Sequence, residues 1–438
     1  MFQTILNTII AVGGVFGTIF MLFYSYWYLY TIVSIIKKPK KAPAASKQNE
    51  YGYIICARNE ELVIADLVKS ILAQNYPADK MHVFVMADNC TDNTAEAARE
   101  AGATVYERFN KEKVGKGYAM QELFERLKTN EDAAKCKGYF VFDADNILHP
   151  DYTGAMNDTI ENGVRIAMGL RNTKNWGSNW LSACNGIYFL RDSLQMNRSR
   201  SIIGTSAMVT GTGWYVEKSI IDAEGGWNYT LMCEDSQFSI SQILKGEKIV
   251  FCEDAEFYDE QVTTWKQSVK QRSRWIKGST DIANKYGKQI FKHMFSKKIT
   301  LRKLLTGIDC ICLFFGPGYV TTAGSITCLL SMIALMLTFA PSPAMWFIPL
   351  SFVFSLYMNF FFSATLPVLF NLKKIYLPTG KKIQAILLFP LFMISYMFLS
   401  VRVILLRQKV TWEPIVHKES FDMSILKQNA DTPNKKAV

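Results

Sequence analysis

Residues 138–146 read GYFVFDADN. A run of aromatic and β-branched residues with no charge until its end is a strand buried on both faces, the habit of a parallel sheet covered by helices. It stops on Asp143, Ala144 and Asp145, so two carboxylates one residue apart project from a strand end. Two earlier runs have the same form: YGYIICARNE over 51–60 and MHVFVMADN over 81–89. Helical patterns follow them, one through Leu72 and one through Ala101. Strand, helix, strand, helix, strand predicts an α/β domain with a mostly parallel sheet. Each strand ends in polar residues: Arg58, Asn59 and Glu60; Asp88 and Asn89; Asp143 and Asp145. In open α/β sheets ligands sit beyond the carboxyl ends of the strands, so these three ends predict a site as well as a fold.

Outward from this domain the chain turns apolar. No charge occurs from Met1 to Ile36, and the stretch Ile9 to Tyr30 is long enough to cross a hydrocarbon core of about 30 Å. A cleaved leader is the competing reading, but the basic start is missing, the apolar run is too long, and Trp27 and Tyr28 resemble an interfacial belt. Residues 1–36 are therefore expected to be a transmembrane helix. The linker over 37–50 opens with KKPKKAPAASK, and its lysines point to a cytoplasmic α/β domain over 51–286. KQIFKHMFSKKITLRK over 288–303 mixes apolar residues with lysines, and predicts an amphipathic surface helix over 287–306. A membrane region of about three apolar segments is expected over 307–406, then a polar tail over 407–438. The arithmetic of sides does not close: one span before the domain and three after it return the tail outside, yet RQKVTWEPIVHK is basic. Either the last segment, broken by Pro390, is re-entrant, or the charge rule fails there. Arg402 in that segment turns to protein or water, or snorkels.

The net charge of +11 is concentrated beside the apolar segments, which favours a membrane over nucleic acid as the partner. Nine cysteines are scattered without metal-ligand spacing, which fits reduced thiols rather than a zinc site or disulfide framework.

Three motifs carry chemistry. Asp143 and Asp145 can face one divalent cation and its diphosphate, or merely cap a following helix. Glu234 and Asp235, in MCEDSQFS, precede a helical run; an Asp there is a cap or a general base. TWKQSVKQRSRWIKG brings Gln271, Arg272, Arg274 and Trp275 within about one turn. This is a basic membrane-proximal helix, or a set that neutralises diphosphate and stacks on a sugar ring.

In order, Asp88, the DAD run, the ED pair and QRSRW resemble membrane-embedded family 2 glycosyltransferases of the cellulose, hyaluronan and poly-N-acetylglucosamine synthase type. The resemblance implies a GT-A-like domain that binds nucleotide-diphospho-sugars, flanked by transmembrane and interfacial helices in the plasma membrane. It implies that Asp88, with Arg58 and Glu60 beside it, binds the uracil and ribose side of a UDP-sugar. Lys116, in VGKGYAM, would lie near the nucleotide, or be a solvated loop lysine. Asp143 would meet the diphosphate and, with Asp145, hold Mg²⁺ or Mn²⁺. Asp235 would be the base beside Glu234, and Gln271, Arg274 and Trp275 would line the acceptor end and the diphosphate. The stretch GTGW over 211–214 aligns with the acceptor loop, where Trp214 would stack on a sugar or be plain core. Cys233 stands where Thr is frequent. The expected reaction is inverting, processive transfer of a hexose to a β-linked polysaccharide with export, β-glucan ahead of an N-acetylglucosamine polymer. Single transfer to a lipid is the rival, with glycan or lipid as acceptor. A transporter or receptor with an α/β module explains the spans but not the motifs together. Accessory subunits are left open.

Overall fold

The computed structural model describes residues 1–296, 299–408 and 410. The chain begins with helix α1 (Phe2–Ile36) and then enters the α/β domain with β1 (Tyr51–Ala57), α2 (Ile64–Leu72), β2 (Met81–Asp88), α3 (Thr94–Glu100) and β3 (Thr104–Arg108). Next come α4 (Lys116–Leu127), α5 (Glu131–Lys135), β4 (Gly138–Asp143), β5 (Ile147–Leu148), α6 (Tyr152–Glu161) and β6 (Ile166–Thr173). Helix α7 (Trp180–Arg191) passes through a π-helical turn into α8 (Arg198–Ile203), followed by β7 (Trp214–Glu217), α9 (Lys218–Ala223), α10 (Glu234–Lys245) and β8 (Ile249–Asp259). Five helices complete the described chain: α11 (Trp265–Met294), α12 (Leu301–Phe315), α13 (Thr321–Thr338), α14 (Phe347–Phe370) and α15 (Thr379–Ile404).

The eight strands form one sheet in the order β3-β2-β1-β4-β7-β6-β8-β5. Strands β3, β2, β1 and β4 are parallel, β7 runs antiparallel between β4 and β6, and β8 is parallel to β6. Register pairs Ala57 with Ala87 and Cys56 with Asp143, so the polar strand ends emerge along one edge. The apolar runs are buried on both faces, with Tyr53, Ile54, Ile55, Val85, Phe140 and Phe142 sealed between helices. That burial explains why their sequence shows no alternation.

The antiparallel half adds a constraint at Gly213. Its φ is 72°, and a Cβ there would lie 2.0 Å from a ring carbon of Phe257. Glycine alone fits both the left-handed backbone and the close ring.

Among the described residues four helical stretches are long and apolar enough to cross a membrane: Phe2–Ile36, Leu301–Thr338, Phe347–Phe370 and Thr379–Ile404. The second contains a π-helical turn, Gly316–Val320, around Pro317, where the missing N–H disturbs the regular ladder. The fourth continues as one helix through Pro390, and Arg402 lies exposed near its end. Two buried guanidinium groups tie these helices to the α/β domain. Arg200 of α8 grips Asp309 of α12 through Nε at 2.6 Å and Nη2 at 3.0 Å. Arg272 of α11 donates to the Phe392 carbonyl at 3.1 Å and to Ser395 Oγ, both on α15.

The surface helix expected over 287–306 is not one element. The first part is the end of α11, and a new helix starts at Leu301, where Thr300 Oγ1 accepts from Lys303 N at 3.2 Å. That hydroxyl is an N-cap signal inside SKKITLRK, and it outweighs the amphipathic pattern running across it. Most of the tail expected over 407–438 lies outside the described residues.

Candidate active site

The site forms where β1, β2 and β4 end. Past β1, Asn59 turns with φ of 57° and its Oδ1 accepts from Thr91 N at 2.8 Å, while Glu60 N donates to Thr94 Oγ1 at 2.8 Å. These bonds hold the loop that carries Arg58 and Glu60 against the loop that follows β2. Asp88 ends β2 and is only 5% exposed. Its Oδ1 accepts from Arg108 Nη1 at 2.6 Å and Asn89 Nδ2 at 2.9 Å. Burial raises the Asp88 carboxyl, and the Arg108 guanidinium opposes the rise.

Lys116 opens α4, directly after Gly115 with φ of 135°. Its Nζ lies 2.5 Å from Asp143 Oδ1, 3.1 Å from the Gly211 carbonyl and 3.9 Å from Glu234 Oε1. One ammonium therefore joins two acidic motifs that lie far apart in the chain. Burial works against its charge, but Asp143 and Glu234 outweigh that and hold it above the usual lysine range.

The loop before β7 is the second joint. Gly211 N donates to Asp235 Oδ2, and Thr212 Oγ1 accepts from Asp143 N at 2.8 Å and donates to Asn146 Oδ1. Beneath it, Asp259 of β8 accepts from Asn146 Nδ2 at 2.8 Å and from Arg171 of β6 through Nε at 3.0 Å. The Arg171 guanidinium lies 3.6 Å from the centroid of the Phe189 ring.

Glu234 and Asp235 form the first turn of α10 and belong to different electrostatic settings. Burial pushes the Glu234 carboxyl up to about 8, against Lys116, and Asp235 adds to the rise. Burial raises Asp235 too, while the backbone N–H groups of Gly211 and Ser236 favour its ionised form. Two backbone N–H donors thus favour the charge on Asp235, whereas burial and the neighbouring Asp235 disfavour it on Glu234.

Helix α11 closes the site. Gln271, Arg274 and Trp275 line the cavity. Trp275 stacks on Tyr188 of α7 at 6.0 Å and 10°, and meets the Phe189 ring edge-on at 5.6 Å. Tyr188 in turn stacks on Tyr396 of α15 at 6.2 Å and 15°. Arg272, between them in sequence, is wholly buried and faces α15.

One cavity of about 1050 Å³ is lined by Arg58, Glu60, Asp88, Lys116, Asp143, Asp145, Glu234, Asp235, Gln271, Arg274 and Trp275. Among the residues singled out in the sequence, Asn59, Asn89, Arg272 and Trp214 are not part of its lining. That tryptophan is 1% exposed and stacks on Phe238 of α10 at 5.1 Å, with Trp227 at 5.8 Å. It pairs with Val141 across β4 and β7 and is core, not an acceptor platform.

Gly211 and Thr212 enter the sequence reading only within the GTGW stretch, and Arg171 and Asp259 are absent from it. TGTG over 210–213 was the available signal for the first two, a glycine-rich break directly before a strand. Arg171 and Asp259 carry no local signal, because only the pairing of β6 with β8 brings them together.

No group of three His, Cys, Asp or Glu side chains able to hold a metal occurs among the described residues. Asp143 and Asp145 still fit a hard cation, because Mg²⁺ is commonly bound by one or two carboxylates and completes its shell with substrate phosphates and water. Both carboxylates are at the cavity wall.

A family model described as "Glycosyltransferase like family 2" matches residues 49–278. The probable glycosyltransferase YdaM of Bacillus subtilis is 26% identical over 269 residues, covering 58% of this chain and 61% of that protein. A beta-monoglucosyldiacylglycerol synthase of Synechocystis is 26% identical over 228 residues, covering 51% of this chain and 47% of that protein. The chain thus spans about half to three fifths of the length of these curated relatives. Among solved structures, a mannosyltransferase of Pyrobaculum calidifontis in complex with GDP-Man and Mn²⁺ is similar with a TM-score of 0.57 at 14% identity, covering 93% of this chain and 100% of that one. The α/β domain has this GT-A-like fold, with a mostly parallel sheet. The chain belongs to glycosyltransferase family 2.

Proposed function

We propose that this family 2 glycosyltransferase moves a hexose from a UDP-sugar to a hydroxyl of a lipid acceptor that enters from the membrane side, inverting the anomeric carbon. The observation that carries this reading is the continuity of the cavity. From the carboxylates at the strand ends it extends to Phe20 and Tyr28 of α1, Leu356 and Phe360 of α14, and Met397 of α15. Such a lining suits an apolar chain better than a hydrated glycan. A relative named for making β-monoglucosyldiacylglycerol supports the same acceptor class.

The donor's uracil and ribose would rest against Asp88, Arg58 and Glu60. Lys116 and Arg274 would take the diphosphate, with Arg274 suited to bidentate contact. Asp143 and Asp145 would hold Mg²⁺ or Mn²⁺, which when bound offsets charge on the leaving group. Asp235 accepts the acceptor's proton while the hydroxyl oxygen attacks the anomeric carbon. The bond from that carbon to the diphosphate oxygen breaks, and UDP departs with the electron pair. One displacement converts an α-linked donor into a β-linked product. Glu234, pushed up to about 8, retains its proton and does not compete as the base. Gln271 and Trp275 would border the acceptor. The lysines at 37, 38, 40 and 41 support a cytoplasmic catalytic domain in a multi-pass plasma-membrane protein.

Processive synthesis of a β-linked polysaccharide is the second reading. It rests on Gln271, Arg274 and Trp275 facing the cavity together. The test is incubation of the full chain in lipid nanodiscs with Mg²⁺ or Mn²⁺ and radiolabelled UDP-glucose or UDP-N-acetylglucosamine, followed by solvent extraction and sizing. Label in a small lipid-extractable product is expected. High-molecular-mass product sensitive to a β-glycanase would overturn the lipid reading in favour of the polymer.

A further inference from the structure

Arg191 is the last residue of α7 and lines the same cavity near its membrane side. It is 6% exposed. Its guanidinium lies 4.1 Å from the centroid of Trp27 on α1, 5.3 Å from Tyr188 and 5.8 Å from Phe389 on α15. Nη1 donates to Ser363 Oγ of α14 at 2.9 Å, and the buried Nε has no partner. Four other shielded arginines grip a carboxylate: Arg108 holds Asp88, Arg171 holds Asp259, Arg198 holds Glu253 and Arg200 holds Asp309; Arg272 also lacks one, but it faces α15 and is not part of the cavity lining, whereas Arg191 is. Arg191 has no such partner among the described residues, and the adjacent Asp192 turns to Thr210, whose hydroxyl lies 3.3 Å away.

A guanidinium out of water with an unused donor and no carboxylate in contact is costly, and the field of the neighbouring Asp192 carboxylate offsets only part of that. Facing aromatic rings recover part of that cost. What completes the arrangement is an anion arriving through the cavity, matched to the guanidinium fork. The position says what carries it. Arg191 touches α1 and α14, two of the four apolar helices, which Tyr28 and Asn359 also join at 3.0 Å. It is also close to the chemistry. Asp192 reaches Thr210, and the next residue, Gly211, donates to Asp235. Tyr188, three residues earlier on α7, stacks on Trp275.

We propose that Arg191 binds the anionic head group of the acceptor, so that the preferred substrate is an acidic amphiphile, phosphate or carboxylate, with a free hydroxyl. This rests on the lipid-acceptor reading above. Arg191 then selects and positions the acceptor, while Asp235 takes the proton.

The experiment uses the full chain in phosphatidylcholine nanodiscs doped with phosphatidylglycerol, a long-chain hydroxy fatty acid, or uncharged diacylglycerol. Lipid-extractable label from radiolabelled UDP-glucose and UDP-N-acetylglucosamine is followed, with UDP affinity as the measure of an intact donor half. Wild type is expected to label an acidic acceptor faster than diacylglycerol by on the order of tenfold, the scale of one charge-assisted hydrogen bond. The better acidic acceptor identifies phosphate or carboxylate. Arg191→Gln should erase the preference with UDP affinity unchanged, and Arg191→Lys should restore part of it. If Arg191→Gln loses UDP binding, Arg191→Met, which keeps the stem against the rings, replaces it. Equal labelling of acidic and uncharged acceptors by wild type overturns the Arg191 site and leaves the lipid reading intact, as does a preference that survives loss of the guanidinium. Label confined to high-mass polymer overturns the lipid reading, and the proposal with it.

Discussion

At the sheet end of the cavity charges answer one another: Lys116 meets Asp143 and Glu234, Arg108 meets Asp88, and Arg171 meets Asp259. At the membrane end Arg191 meets rings and a single serine hydroxyl. The sheet end is organised before a ligand arrives, as a site that stabilises developing charge requires. The membrane end leaves a cation to be satisfied by what enters. On the proposed function, the difference separates the chemical step, set by strand ends and the start of α10, from acceptor choice, set where helices meet.

Substitutions on either side of this divide should give different signatures. The largest effect belongs to the sheet end. Asp235→Asn should lower transfer by about 10²–10⁴-fold, the usual contribution of a general base. UDP affinity, measured by calorimetry, should stay within about twofold; loss of both would show that Asp235 supports the site rather than acting in it. Next comes the joint between the two ends. Arg200→Met strands Asp309 as a buried unpaired charge, and should cost about 3–5 kcal/mol of stability. A thermal-unfolding midpoint unchanged in detergent would count against that joint.

Neighbouring arginines on α11 offer a sharper contrast. Arg272→Gln should lower thermal stability by about 1–3 kcal/mol, through lost bonds to α15, and leave KM for the donor alone. Arg274→Gln should do the reverse, raising donor KM or lowering kcat about tenfold with little change in melting. Exchanged signatures would break the assignment of the two faces of the helix. A smaller effect is expected for Trp214→Phe, which trims a core ring and should cost about 1–2 kcal/mol with no change in acceptor KM. A raised acceptor KM would return Trp214 to the acceptor loop.

A further effect concerns pH. With neither nucleotide nor metal, the folded chain holds a proton on Glu234 up to about 8, whereas the unfolded chain releases it near 4.5. Stability should therefore decline as pH rises from about 4.5 to about 8 through this group. Glu234→Gln should flatten that part of the profile of melting temperature against pH.

Much was legible because it is local. An uncharged stretch long enough for a bilayer, a both-faces-buried strand and a carboxylate at a strand end each depend on a few successive residues. Length, burial period and strand chemistry therefore determined the α/β class, the apolar helices and the residues at the strand ends. Other features were set by packing. Trp214 and Trp275 are the same residue type in comparably suggestive motifs, yet β-strand pairing drives one under α10 and helix phase turns the other to the cavity. Thr300 divides an amphipathic pattern that spacing alone would have kept whole. Lys116, Gly211 and Asp235 meet across long stretches of chain, and Arg191 receives its ring from α1, its hydroxyl from α14 and no counter-ion from either. Backbone period and residue chemistry are properties of neighbours in sequence, whereas a partner, a cage or a missing counter-charge is a property of neighbours in space. Only the tertiary structure decided those.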